Sequence, residues 1–147
     1  MWYMILGTRY LVRKEAGMKI KNYRDLDVWK LSKEWAKEIY GITQHYPVDE
    51  RFGLTQQTWR AAVSVMSNIA EGSCRRSKQE FMRFINIASG SLCEAESQLL
   101  LSADLNYIDT MTLDKTLMHS DCMSKVLYAL HKSLSSTEYQ VPSTEYA

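Results

Sequence analysis

The densest set of side chains able to do chemistry lies between Arg60 and Arg83. Asn68 and Glu71 stand three apart, on one face of any helix drawn through them, and Arg75 and Arg76 follow the glycine at 72. Arg60, Lys78 and Arg83 add positive charge on either side. Guanidinium groups grip phosphate through paired N–H donors, so this set offers anion or RNA-backbone binding rather than bond making. Arg60, Arg75, Arg76, Lys78 and Arg83 are therefore the candidate nucleic-acid contacts. The competing reading makes Asn68 and Glu71 structural, holding the opposing helix or the turn. Glu71 would then stand near the negative end of a helix dipole, with Arg75 or Arg76 offsetting it.

Catalytic chemistry finds no comparable set. His119, Ser120 and Asp121 are adjacent, but helical neighbours one and two apart point in different directions and cannot form a triad. No G-x-S-x-G, phosphate-binding loop or dinucleotide fingerprint occurs. The expectation is a non-enzymatic protein with no catalytic residue and no cofactor. Cys74, Cys93 and Cys122 have no paired spacing, and their odd number argues against a disulfide framework and suits a reducing cytoplasm. They read as small packing residues or exposed thiols. His45, His119 and His131 complete no metal-ligand pattern with them, so no metal is expected. No apolar run approaches the ~20 residues of a membrane span, so no membrane partner is expected.

These residues need elements to position them, and the spacing predicts four helices. The first opens near Asp25, which can cap its first amides, and carries Val28, Ser32, Trp35, Ile39 and Ile42 in a heptad-like seam before Pro47 stops it. The second begins between Asp49 and Leu54 and carries Ala61, Val65 and Ile69. It is expected to end at Gly72 in a left-handed conformation. Ser77 and Glu80 form an S-x-x-E capping box for the third, which keeps a helical rhythm from Phe81 past Leu101 to Asn106 and Tyr107. Gly90 inside it suggests a close backbone contact. The fourth is capped by Asp109, Thr110 or Thr112 and runs to Leu134. No strand pattern competes. Short connections make an all-α, antiparallel up-down-up-down four-helix bundle the economical fold.

Residues 18–134 form this bundle domain. Residues 1–17 read as an N-terminal extension outside the fold, because Met18 opens a natural-looking start. Residues 135–147, with STEY repeated around Pro142, read as a disordered polar tail. The net charge of +1 hides an asymmetry: residues 1–37 carry a local +5, 38–59 a local −2, 60–83 a local +3 and 84–147 a local −5. The basic and acidic halves could face different partners, or each helix could simply present a solvated polar face.

The run SVMSNIAEG, followed by R-x-S, E-F-x-x-F and IASGSL, resembles a family of small bacterial four-helix-bundle proteins. That family was first noticed as reading frames inside intervening sequences of large-subunit ribosomal RNA genes. NYRDLDVWKLSKEWAKEIYGIT, YPVDERFGLTQQTWRAAVS and LNYI extend the resemblance over about residues 20–134. Ser32, the pair Thr58-Trp59 and the pair Cys74-Arg75 depart from the pattern. The resemblance implies a homo-oligomer, a pentameric ring, while the cysteine count fits a cytoplasmic location. The family's association with ribosomal RNA genes implies RNA as a partner, and a related bundle that serves as a reverse-transcriptase accessory subunit in diversity-generating retroelements implies a nucleic-acid enzyme as another. The alternative is a protein-interaction scaffold without RNA specificity. Four tryptophans, nine tyrosines and eight methionines are many for so small a core. Trp35, Trp59, Met66 and Met82 are candidates for the subunit interface.

Overall fold

The computed structural model describes residues 2–5, 8–11 and 22–136 of the chain. Within residues 22–136 four helices pack together: α1 (Asp27–Thr43), α2 (Leu54–Ser73), α3 (Lys78–Asp104) and α4 (Thr110–Ser135). The packed pairs are α1 with α2, α2 with α3, α3 with α4, and α4 with α1, which closes the bundle. Successive helices run in opposite directions. The Ser64 and Ser91 hydroxyls meet at 2.8 Å, and Gly72 abuts Phe81 and Phe84 further along the same seam. At one end, the Tyr107 hydroxyl donates to Glu50 Oε1 at 3.2 Å, joining the α3–α4 connection to the α1–α2 connection.

Each helix buries one stripe. Trp35 and Ile39 from α1, Val65 and Ile69 from α2, Ile85 and Leu99 from α3, and Met123 and Leu127 from α4 are all at most 2% exposed. Burying side chains of this size contributes about 1.5–3 kcal/mol each. Trp35 thus belongs to the core and is unavailable to a subunit interface, contrary to expectation. Its place in the seam three residues after Ser32 and four before Ile39 sends it inward.

The helix ends show where local chemistry decided. Ser77 Oγ accepts from the Glu80 amide at 3.1 Å, which is half of the expected capping box; the Glu80 carboxylate accepts from the Ser77 hydroxyl at 3.2 Å in place of the Ser77 backbone N–H. Asp109 caps α4, with Oδ1 accepting from the Thr112 amide at 2.8 Å. Asn106 has a φ of 60°, and the amides of Tyr107 and Asn106 donate back to the Ser102 and Ala103 carbonyls at 2.8 and 2.9 Å. This pair of bonds satisfies carbonyls that the end of α3 leaves open, and asparagine tolerates the left-handed conformation it needs. At α1 the expectation fails. Asp25 ends a single tight turn, Tyr23–Asp25, capped by Asn22, and α1 starts after Leu26 without a side-chain cap.

Two glycines behave differently from their sequence reading. Gly72 does not terminate α2 in a left-handed conformation, because the helix continues through it to Ser73. It is required by packing instead. A Cβ there would lie 2.6 Å from Phe84 Cβ and 2.8 Å from Phe81 Cδ2. Gly90, expected at a close contact, has nothing within 4 Å of the position its Cβ would take.

The expectation of no strand is also corrected. Trp2–Ile5 (β1) and Thr8–Leu11 (β2) pair antiparallel, Trp2 opposite Leu11 and Ile5 opposite Thr8. Aromatic and β-branched residues dominate WYMI and TRYL, which suits paired strands better than a helix. The backbone of β1 comes near α4. Both strands fall within residues 1–17; the rest of that stretch, and residues 137–147 of the expected disordered tail, lie outside the described residues.

Candidate functional site

The α2–α3 connection brings together four of the five predicted cationic contacts. α2 ends at Ser73 and α3 begins at Lys78, so Arg75 and Arg76 sit on the connection and Lys78 and Arg83 on the first turns of α3. Arg75 is fixed on two sides. Its guanidinium bonds Glu71 Oε1 at 2.6 Å and lies 4.8 Å from the Phe84 ring centre. It thereby offsets Glu71 near the carbonyl end of α2, as expected. Both side chains are well exposed, so the pair contributes at most about 1 kcal/mol. Lys78 Nζ reaches the Ser136 carbonyl at 3.4 Å, at the end of α4. Arg76 and Arg83 are exposed and have no hydrogen-bond or ion-pair partner among the described residues.

Asn68 works within its own helix. Its amide nitrogen donates to the Ser64 carbonyl at 2.8 Å and to Ser64 Oγ at 2.9 Å. Since Ser64 Oγ also meets Ser91 Oγ at 2.8 Å, Asn68 supports the α2–α3 seam at one remove. Glu71, Gly72, Ser77 and Glu80 build and hold the turn that presents the arginines, while Asn68 acts within α2.

Arg60 stands apart. It lies twelve residues before Gly72 on α2, roughly 18 Å along the axis at 1.5 Å per residue. It lines a separate open cleft of about 410 Å³ with Tyr40, Gln56, Trp59, Val63, Ser64 and Ser67. There the Tyr40 and Trp59 rings stack, centres 4.8 Å apart and planes within 2°. The Trp59 indole N–H donates to Thr43 Oγ1, which in turn donates to the Ile39 carbonyl at 2.8 Å. Trp59, Met66 and Met82 are half-buried against the core.

Sequence reasoning missed a buried polar cluster between α1 and α4. His119 Nδ1 lies 2.6 Å from Glu38 Oε2, with side chains 7% and 16% exposed. Thr116 Oγ1 donates to Glu38 Oε1 at 3.0 Å. Of the other members of the apparent triad, Ser120 donates to the Thr116 carbonyl at 3.1 Å and Asp121 pairs with Lys125 at 2.6 Å, so the three do not converge. The available signal was Glu38 itself, three residues after the inward-facing Trp35.

Cys74 and Cys93 are exposed, Cys122 is half-buried, and all three are free thiols. Among the described residues no group of three or more His, Cys, Asp or Glu is placed to hold a metal. No helix among them is long and apolar enough to cross a membrane.

Residues 24–129 match the family model described as 23S rRNA-intervening sequence protein. Among solved structures, the chain is similar to a Bacteroides thetaiotaomicron protein of unknown function from the S23 ribosomal protein family. The two share 25% identity over 71% of this chain and 98% of that one, with a TM-score of 0.66. No curated protein matches.

Proposed function

We propose that this chain, which belongs to the 23S rRNA-intervening sequence protein family, is a non-enzymatic, self-associating binding module for RNA or a ribonucleoprotein. The observation that carries the reading is the α2–α3 turn. Arg75 is committed to Glu71 and Phe84, while Arg76 and Arg83 project unpartnered beside it. A rigid turn that holds one arginine and presents others suits phosphate contacts, which position a nucleic acid without reading its sequence. The family's description and the ribosomal protein family of the structural relative point toward the same class of partner. Self-association, with a pentamer as its form, is what the family resemblance suggests.

The test is a gel shift of labelled ribosomal RNA fragments across a salt series. Binding is expected at low salt and weakens steeply as salt rises. Arg76→Ala with Arg83→Ala lowers affinity and flattens the salt slope, while leaving the fold intact because neither side chain packs. Absence of any shift at low salt overturns the RNA reading. Light scattering that gives a monomer at micromolar concentration overturns the self-association.

A second reading has one specific observation in its favour. At the opposite end of the bundle, Val48 is 85% exposed, Phe52 82% and Met111 81%. The Tyr107–Glu50 bond ties the two connections near these side chains together. A protein-interaction scaffold, including an accessory subunit of a nucleic-acid enzyme, would use such an end. Loss of protein co-purification from the native host on Phe52→Ser, with RNA binding unchanged, would establish it.

A further inference from the structure

We infer that the open cleft over α2, floored by Tyr40 and Trp59 and edged by Arg60, seats one unpaired nucleotide of an RNA strand. This rests on the RNA reading above and adds a second contact, distinct from the α2–α3 turn. Tyr40 remains 41% exposed although Trp59 covers one of its faces. With one face covered by Trp59, the opposite face of the Tyr40 ring is the one left for a base to stack on. Trp59 is anchored by its indole bond to Thr43, so the platform is rigid before anything binds.

The rest of the lining suits a nucleotide. Arg60 has no hydrogen-bond or ion-pair partner among the described residues, and neither do Gln56 and Ser67. These supply a cation for a phosphate and amide and hydroxyl groups for a base edge or ribose. No carboxylate lines the cleft. Its volume of about 410 Å³ falls within the range of small-ligand sites. A base stacked between its neighbours inside a duplex cannot present its face to Tyr40, so the cleft favours single strands.

The test uses the full chain and two labelled probes, an oligouridylate and a fully paired, loop-free RNA duplex stem. Tyr40→Leu and Arg60→Gln each weaken oligouridylate binding about tenfold and leave the stem unchanged, while Tyr40→Trp restores it. A 4-thiouridine in the oligouridylate crosslinks to Tyr40 or Trp59 on irradiation. Arg76→Ala with Arg83→Ala weakens both probes together. Oligouridylate binding that survives Tyr40→Leu and Arg60→Gln, but falls with the Arg76 and Arg83 changes, overturns the cleft and leaves the RNA reading standing. No binding of either probe by the unaltered chain overturns both. A change of oligomer mass on Tyr40→Leu or Arg60→Gln makes the cleft an interface between copies and overturns the proposal. So does competition by free uridine monophosphate at the same concentration as the strand, which would make this a mononucleotide site.

Discussion

The α2–α3 and α1–α4 seams close the same bundle by opposite means. The first is drawn tight by small residues. Gly72 admits Phe81 and Phe84, and Ser64 meets Ser91. The second is bridged by a buried polar cluster, Glu38 with His119 and Thr116. A seam of small residues depends on volume, whereas a polar seam depends on keeping every partner present. The two therefore fail under different substitutions.

The largest expected effect breaks the polar seam. His119→Leu leaves the Glu38 carboxylate, only 16% exposed, without its imidazole partner. A cost of about 3 kcal/mol is expected, read as a lower urea midpoint with an unchanged slope. Glu38→Leu together with His119→Leu should recover most of the loss, because it removes the stranded carboxylate. A double variant as unstable as the single one would show that the cluster contributes through its packing and not through its pairing.

The tight seam should yield next. Gly72→Ala forces a Cβ against Phe84 Cβ at 2.6 Å, and neither backbone can retreat far in a packed hairpin. Overpacking of this kind costs about 1–3 kcal/mol. Helix propensity alone predicts the opposite sign, since alanine is the better helix former. A higher melting temperature for Gly72→Ala would therefore refute the close approach directly.

These seams also differ in how far they could be read from the sequence. The α2–α3 hairpin is local: Ser77 precedes Glu80 by three residues, and the apolar stripe resumes at once with Phe81. Capping and periodicity act over that range, so the element and its turn were legible. Gly72 was singled out for the wrong reason, because a glycine near a helix end fits both a left-handed cap and a close contact. Only the facing Phe81 and Phe84 decide between them. Trp35 was misplaced for a related reason: a large aromatic in the seam suits a core and an interface equally. The His119–Glu38 contact joins positions 81 apart in the chain. No spacing rule reaches that far. The Tyr40–Trp59 platform and the separation of Arg60 from the other arginines likewise follow from helix facing. The hairpin of β1 and β2 was missed because two four-residue strands are too short for alternation to stand out.

Gly90 supplies the control for Gly72, with a smaller effect. It is exposed in the middle of α3 and nothing approaches the site of its missing Cβ. Gly90→Ala should stabilise the fold by about 0.5–1 kcal/mol, through reduced backbone freedom in the unfolded chain. The same substitution is thus expected to act with opposite signs on the two glycines. If Gly90→Ala instead lowers stability only at concentrations where the chain self-associates, its bare backbone is part of a subunit contact.

The α3–α4 seam tests whether carboxylates at helix contacts are always assets here, and its effect is the smallest. Burial pushes the Glu96 carboxyl above the usual carboxylate range, and the nearby Asp121 charge pushes it the same way. A raised carboxylate means that the fold disfavours the ionised form. The penalty is present at neutral pH and disappears as pH falls through the folded-state value. Glu38 differs in having a threonine and a histidine directed at it, whereas the described bonds of Asp121 go to Lys125. Glu96→Gln should therefore raise the melting temperature near pH 7 by about a degree or two, since much of the side chain remains solvated. The gain should shrink steadily toward pH 4. A gain that grew on acidification would mean that ionised Glu96 stabilises the fold, and the α3–α4 contact would then belong with the α1–α4 seam.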